Sequence, residues 1–183
     1  QSILNVLTPS FSNVYSFEFD GVDETFSTGL SLAYTAVPNA TLSIWIKMDT
    51  TGLTPNTWFY PVGVHCTNPN SSPVRIYFQS TQSRILIQAQ AGNAFSTTNL
   101  NDGNWHNIVQ TIEYDTGGTI FNVYVDGVKE ITNALLFAHT PLTGDLVLGA
   151  LTTATGFFKG NIDEVSVFNS VLSQTDINTI YGS

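Results

Sequence analysis

The residues of this chain that could do chemistry are its fourteen acids and three histidines, and their spacing limits what they can do. Asp163 and Glu164 are adjacent in a stretch, Gly160 to Phe168, that reads as a strand. Neighbours on a strand point to opposite faces, so these two cannot converge on one bond. Retaining glycoside hydrolysis needs two carboxyl groups about 5 Å apart. Glu18 and Asp20 do share a face, but on what reads as the first core strand and not in a cleft. His65, His106 and His139 are far apart, with no Ser or Cys motif beside them, so nothing supports a nucleophilic triad. His and Cys also lack zinc-ligand spacing. Cys66, the one cysteine, reads as a spare thiol in a turn-like stretch.

Binding chemistry has more material. Trp45, Trp58, Tyr60 and Tyr77 are candidates to stack on sugar faces while amides and acids hold hydroxyls, although each also fits a core. The irregular stretch 52–73, rich in Pro, Asn and Thr, is the best placed to vary as a binding edge. Trp105 follows a tight turn and is expected to plug the end of the fold, with His106 capping a backbone group. Asp163 shares a face with Val165 and Val167 by alternation, with Ile162 and Phe168 opposite, on a strand expected to be buried on both faces. A desolvated carboxylate there must find hydrogen-bond donors or a cation.

The elements that must position these residues are strands. Thr41 to Met48 places Leu42, Ile44, Ile46 and Met48 on one face. His106 to Tyr114 and Phe121 to Val125 alternate in the same way, and Val74 to Gln79 pairs with Ile85 to Gln90 across a polar turn. Asp126-Gly127 is a two-residue hairpin signal, and Asp126 reads as a hairpin residue only. Turn signals recur every ten or so residues, as in an antiparallel sandwich. One helix is expected at the end, capped by Ser173 with Asp176 three residues on, packing Ile177 and Ile180 on the sandwich.

Composition sets the outer bounds. The 183 residues fit one domain: residues 1–14 as an arm or first strand, and 15–183 as a β-sandwich. Five basic residues against fourteen acidic ones, a net charge of -9, exclude a phosphate-binding stripe and so nucleic acid. An anionic membrane surface is disfavoured for the same reason, and no apolar run is long enough to span a membrane. Charged residues make up only 10%, with Ser, Thr and Asn in their place, as on many extracellular and virion surfaces. The sequons at Asn39 and Asn70 are what chance gives in such a composition. The start at Gln1 reads as a processed chain or an excerpt.

Three segments together carry a resemblance: Ser16 to Glu24 with its Asp20-Gly21 turn, Asp102 to Val109 followed by Val123 to Val128, and Gly160 to Phe168 running into the helix. In this order they resemble the LamG-like jelly roll of the concanavalin A-like lectin/glucanase superfamily. The resemblance implies an all-β, two-sheet antiparallel sandwich with one short C-terminal helix. It also implies a structural calcium held by Asp20, the Gly21 carbonyl and Asp163, which Asp23 and Glu24 could join. The glucanase pattern Glu-x-Asp-x-x-Glu is absent, so no enzyme is expected. The tail around Phe168-Asn169-Ser170 is also similar to modules of bacteriophage structural proteins.

The expected function is a non-catalytic glycan-binding or adhesion module in a virion or cell-surface assembly. Its partners would be carbohydrate or neighbouring subunits, including copies of itself. The alternative is a structural decoration or oligomerisation module of a capsid, fibre or appendage. A glycoside hydrolase ranks third.

Overall fold

Alternating apolar residues form strands wherever turn chemistry lets the chain reverse. The computed structural model describes residues 15–34, 39–53, 57–65, 76–79, 81–89, 92–115, 118–136, 142–151 and 156–182. The arm 1–14, Cys66, His139 and much of the 52–73 stretch lie outside the described residues. The strands are β1 (Phe17–Asp20), β2 (Phe26–Tyr34), β3 (Ala40–Met48), β4 (Trp58–His65), β5 (Ile76–Gln79), β6 (Leu86–Ala89), β7 (Gly92–Phe95), β8 (His106–Asp115), β9 (Gly118–Val125), β10 (Val128–Leu136), β11 (Leu142–Leu148) and β12 (Lys159–Phe168). One helix, α1 (Gln174–Tyr181), follows.

The first sheet runs β1-β12-β3-β8-β9-β10 and the second β2-β11-β4-β5, with every pairing antiparallel. A bridge from Phe78 to Ile85 leads from β5 towards the β6–β7 hairpin. The two layers bury one core between them. Leu42, Ile44, Ile46 and Met48 enter it from β3, Ile108 and Ile112 from β8, and Phe121, Val123 and Val125 from β9. Phe59, Val62, Ile76 and Phe78 meet them from the second sheet. The expected sandwich is the observed one. The Asp126-Gly127 turn also forms, with positive φ at both residues (50° and 77°), and it brings Val125 opposite Val128.

The last strand departs from expectation. Of its ten residues only Gly160 and Ile162 are buried, so it is not covered on both faces. Asp163 pairs with Trp45, but the next pair is Ser166 with Ser43, so two residues of β12 oppose one of β3. This is a β-bulge, and Glu164 adopts a positive φ of 46° to make it. The extra residue reverses the alternation. Val165 and Val167 pack on the core, while Asp163 takes the outer face with Trp45.

Helix α1 forms as expected. The Ser173 side chain accepts from Asp176 N (3.2 Å), and Ser173 N donates to Asp176 Oδ2 (3.0 Å). Ile177 is fully buried with Val109 and Tyr124, which places the helix across the outer face of the first sheet. Ile180 is only half-buried. The lead-in to the helix is tied down by Thr41, whose hydroxyl donates to Ser170 O (2.8 Å) and accepts from Leu172 N (3.0 Å).

Candidate functional site

The aromatic candidates fall on two opposite surfaces. Trp58, Tyr60 and Tyr77 come together on the outer face of the second sheet. The tyrosine rings stack at 5.3 Å, and Trp58 meets Tyr77 edge-on at 5.8 Å. This cluster is not an open platform. Tyr60 and Tyr77 are 7% and 3% exposed and pack with Leu86 and Leu151. Tyr60 N donates to Gly156 O (3.0 Å), and Gly156 lies so close to the Tyr60 ring that a Cβ there would fall 2.5 Å from it. Leu151 and Gly156 therefore close these rings into a second small core.

Trp45 lies on the other side of the molecule, on the outer face of the first sheet. Its ring stacks on Tyr181 of α1 at 5.9 Å and 19°. The helix covers Val109 and Tyr124 on β8 and β9, and beside it Glu18 on β1 is exposed while Asn161 and Asp163 on β12 are half-buried. The register lays the side chains of this area in rows. One row runs Glu18, Asn161, Lys47 across β1, β12 and β3, and the next runs Asp163, Trp45, Asn107 across β12, β3 and β8. Trp105 precedes β8 by one residue, on the side of Asn107 by alternation, and is 38% exposed. It does not plug the end of the sandwich. Tyr181 is 42% exposed. A cleft of about 160 Å³, lined by Tyr15, Ser16, Phe17 and Asp163, sits at the β1 end of the second row.

His106 does not cap a backbone group either. Its Nδ1 meets Asp126 Oδ2 at 2.7 Å and its Nε2 meets Asp102 Oδ1 at 3.1 Å. Burial works against the imidazolium, but the bonds to Asp126 and Asp102 and the charges of both acids outweigh it, and the pKa is raised. Asp102 is held down to about 2 by bonds from the Asn104 side chain and backbone and then from His106. Asp126 is more than a hairpin residue, because its Oδ1 also accepts from Asn107 N (2.9 Å). The clamp fastens the 101–105 turn to the β9–β10 hairpin, and so fixes Trp105. A second clamp, at Glu130, accepts from Thr97 N (2.8 Å), Thr98 N (3.1 Å) and the Thr98 hydroxyl (2.5 Å). Sequence reading missed Tyr181, Asp102 and Glu130. The only available signal was Asp102 four residues before His106.

The residues expected to hold calcium are not brought together. Asp20 pairs with Lys159, so Asp163 lies four residues further along β12, about 13 Å away. Asp20 Oδ1 accepts from Val22 N (2.8 Å), Glu24 Oε2 from Asp20 N (2.7 Å), and Asp163 Oδ1 from Glu164 N (2.8 Å). Asp23 is exposed. Among the described residues no three His, Cys, Asp or Glu side chains are grouped to hold a metal. Asp20, Gly21 and Asp163 do not fit one shared ion.

The family model described as the concanavalin A-like lectin/glucanases superfamily, a laminin G model, matches residues 21–178. The chain belongs to this superfamily. No curated protein matches it in sequence. Solved structures share the fold at low identity. The botulinum neurotoxin serotype D binding domain is 15% identical with TM-score 0.66, over 93% of this chain and 44% of that one. The heptameric SAP-like pentraxin of Limulus polyphemus is 16% identical with TM-score 0.62, over 90% of this chain and 80% of that one. The sialidase of Trypanosoma rangeli, in complex with the inhibitor DANA, is 15% identical with TM-score 0.60, over 91% of this chain. This superfamily member spans only 27% of the sialidase and under half of the toxin domain. Among the described residues no helix is long and apolar enough to cross a membrane.

Proposed function

We propose that this domain is a non-catalytic carbohydrate-binding module used for adhesion, carried outside the cell or on a virion. The observation that carries the reading is the pair of exposed rings, Trp105 and Tyr181, on a sheet face that also presents Glu18, Asn161, Asp163 and the side chains of Lys47 and Lys129. Exposed rings beside polar groups fit a sugar, which offers C–H faces for stacking and hydroxyls for hydrogen bonds. The superfamily match supports the same reading, because lectins share this fold. The purified chain, labelled and applied to a glycan array, is expected to retain on a defined subset of glycans. No retention on any glycan at high protein concentration would remove the proposal. On this reading the chain also leaves sialyllactose and β-glucans uncut, which chromatography of the sugars checks.

A second reading has its own observation. Phe17 and Phe26, on β1 and β2, the edge strands among the described residues, are 49% and 43% exposed with ring centroids 4.9 Å apart. This edge favours contact with a neighbouring subunit, as in a structural module of a larger assembly. Light scattering on the wild type and on Phe17→Ser/Phe26→Ser decides it. A multimer that falls to monomer in the variant favours the assembly role, and a monomer in both cases removes it.

A further inference from the structure

We infer that the outer face of the first sheet, beside the end of α1, binds a neutral linear oligosaccharide and rejects anionic glycans. The inference rests on the carbohydrate-binding reading and adds the site and the ligand class. Trp45 is held flat under Tyr181 by the helix, so this ledge exists before any ligand arrives. Trp105 is fixed in turn by the His106 clamp behind it. Asn107 and Trp105 are two residues apart, so the second ring stands about 7 Å from the row of Trp45, a step that neighbouring rings of one chain can bridge.

The polar groups beside the ledge are Glu18, Asn161 and Lys47 in one row and Asp163 in the other. Three of these four can accept hydrogen bonds from hydroxyls, which suits a sugar chain lying across β12. The charge decides the class of sugar. Glu18 and Asp163 border the ledge, Asp20 and Glu164 stand next to them, Lys47 is the cation in the rows, and Lys129 of β10 lies on the same face with its ammonium 5.2 Å over the Tyr124 ring. Lys159 lies near the same edge but is bound to Thr51 O (2.6 Å) and Asp49 (3.1 Å). With a net charge of -9 on the chain, a sulfated or sialylated glycan meets repulsion at this face, and a neutral one does not. The cleft at Asp163 is about 160 Å³. Whole-ligand pockets start at roughly 300 Å³, so it takes a substituent of the sugar at most.

The test is titration calorimetry on the full chain with cellohexaose, laminarihexaose, chitohexaose and mannohexaose, against sialyllactose and a heparin hexasaccharide. At least one neutral hexasaccharide is expected to bind. Trp105→Ala and Tyr181→Ala should each weaken it about tenfold, a change typical of an aromatic anchor. Tyr181→Phe and the distant control Phe95→Ala should leave it unchanged, with melting curves confirming the fold of each variant. Binding of a neutral sugar that ignores both Trp105→Ala and Tyr181→Ala would overturn the site and leave the proposed function standing. Binding confined to the anionic sugars would overturn the ligand class. No binding by any sugar here or on the array would overturn both.

Discussion

At the residue scale, the group with the most measurable behaviour is His106. Its folded pKa is raised above the ordinary 6.5, so the stability it adds is complete below that value and is lost as pH rises through the higher folded one. Asp102 acts in the opposite sense. Its pKa is lowered from 3.8 to about 2, so its share is present above 3.8 and is lost as pH falls towards 2. The melting temperature is therefore expected to be highest between these limits and to decline on both sides. His106→Ala should flatten the alkaline decline. It should also cost about 2 kcal/mol in urea unfolding at pH 6, since it removes two charge-assisted bonds. An unchanged alkaline limb in the variant would show that the clamp is not the titrating group. The acid at position 102 and the histidine at 106 are visible in the sequence. Asp126 is not a foreseeable partner, because only the β8–β9 pairing carries the hairpin back to the 101–105 turn.

At the element scale, β12 and β3 approach each other closely at a glycine. Gly160 has φ +135°, and a Cβ there would fall 2.2 Å from Lys47 O. Gly160→Ala is expected to push these two central strands apart and to destabilise by about 3 kcal/mol in equilibrium unfolding. A loss under half of that would mean the ladder yields easily. The helix and the Asp126-Gly127 hairpin were legible because each depends on contacts within a few residues: a capping box and a turn with positive φ. The bulge at Glu164 was not. Val165, Ser166 and Val167 continue an alternating pattern, and nothing in Glu164 itself asks for a left-handed backbone. The strand must gain a residue against β3 for Val165 and Val167 to reach the core, and that is a property of the pair of strands.

At the scale of the whole molecule, the order of strands separates groups that the superfamily resemblance had joined. Asp20 and Asp163 lie on paired strands but at distant rungs. The melting temperature is accordingly expected to be the same in calcium and in EDTA, for the wild type and for Asp163→Asn. A rise with calcium that Asp163→Asn abolishes would restore the ion to that acid. Strand order also divides the aromatic residues. Trp58, Tyr60 and Tyr77 face one side packed with Leu86 and Leu151, and Trp45 faces the other beneath the helix.

The sequence by itself determined that this chain is an antiparallel sandwich with a capped terminal helix, because alternation, turn residues and capping are local codes that a single strand or turn can satisfy. It also named Trp45, Trp58, Tyr60 and Tyr77 as the aromatics to follow. Only the tertiary structure decided how deeply each of them is buried. Burial depends on what a distant segment covers: Leu151 and Gly156 close over Tyr60 and Tyr77, whereas Trp45 lies half-buried beneath Tyr181 of α1.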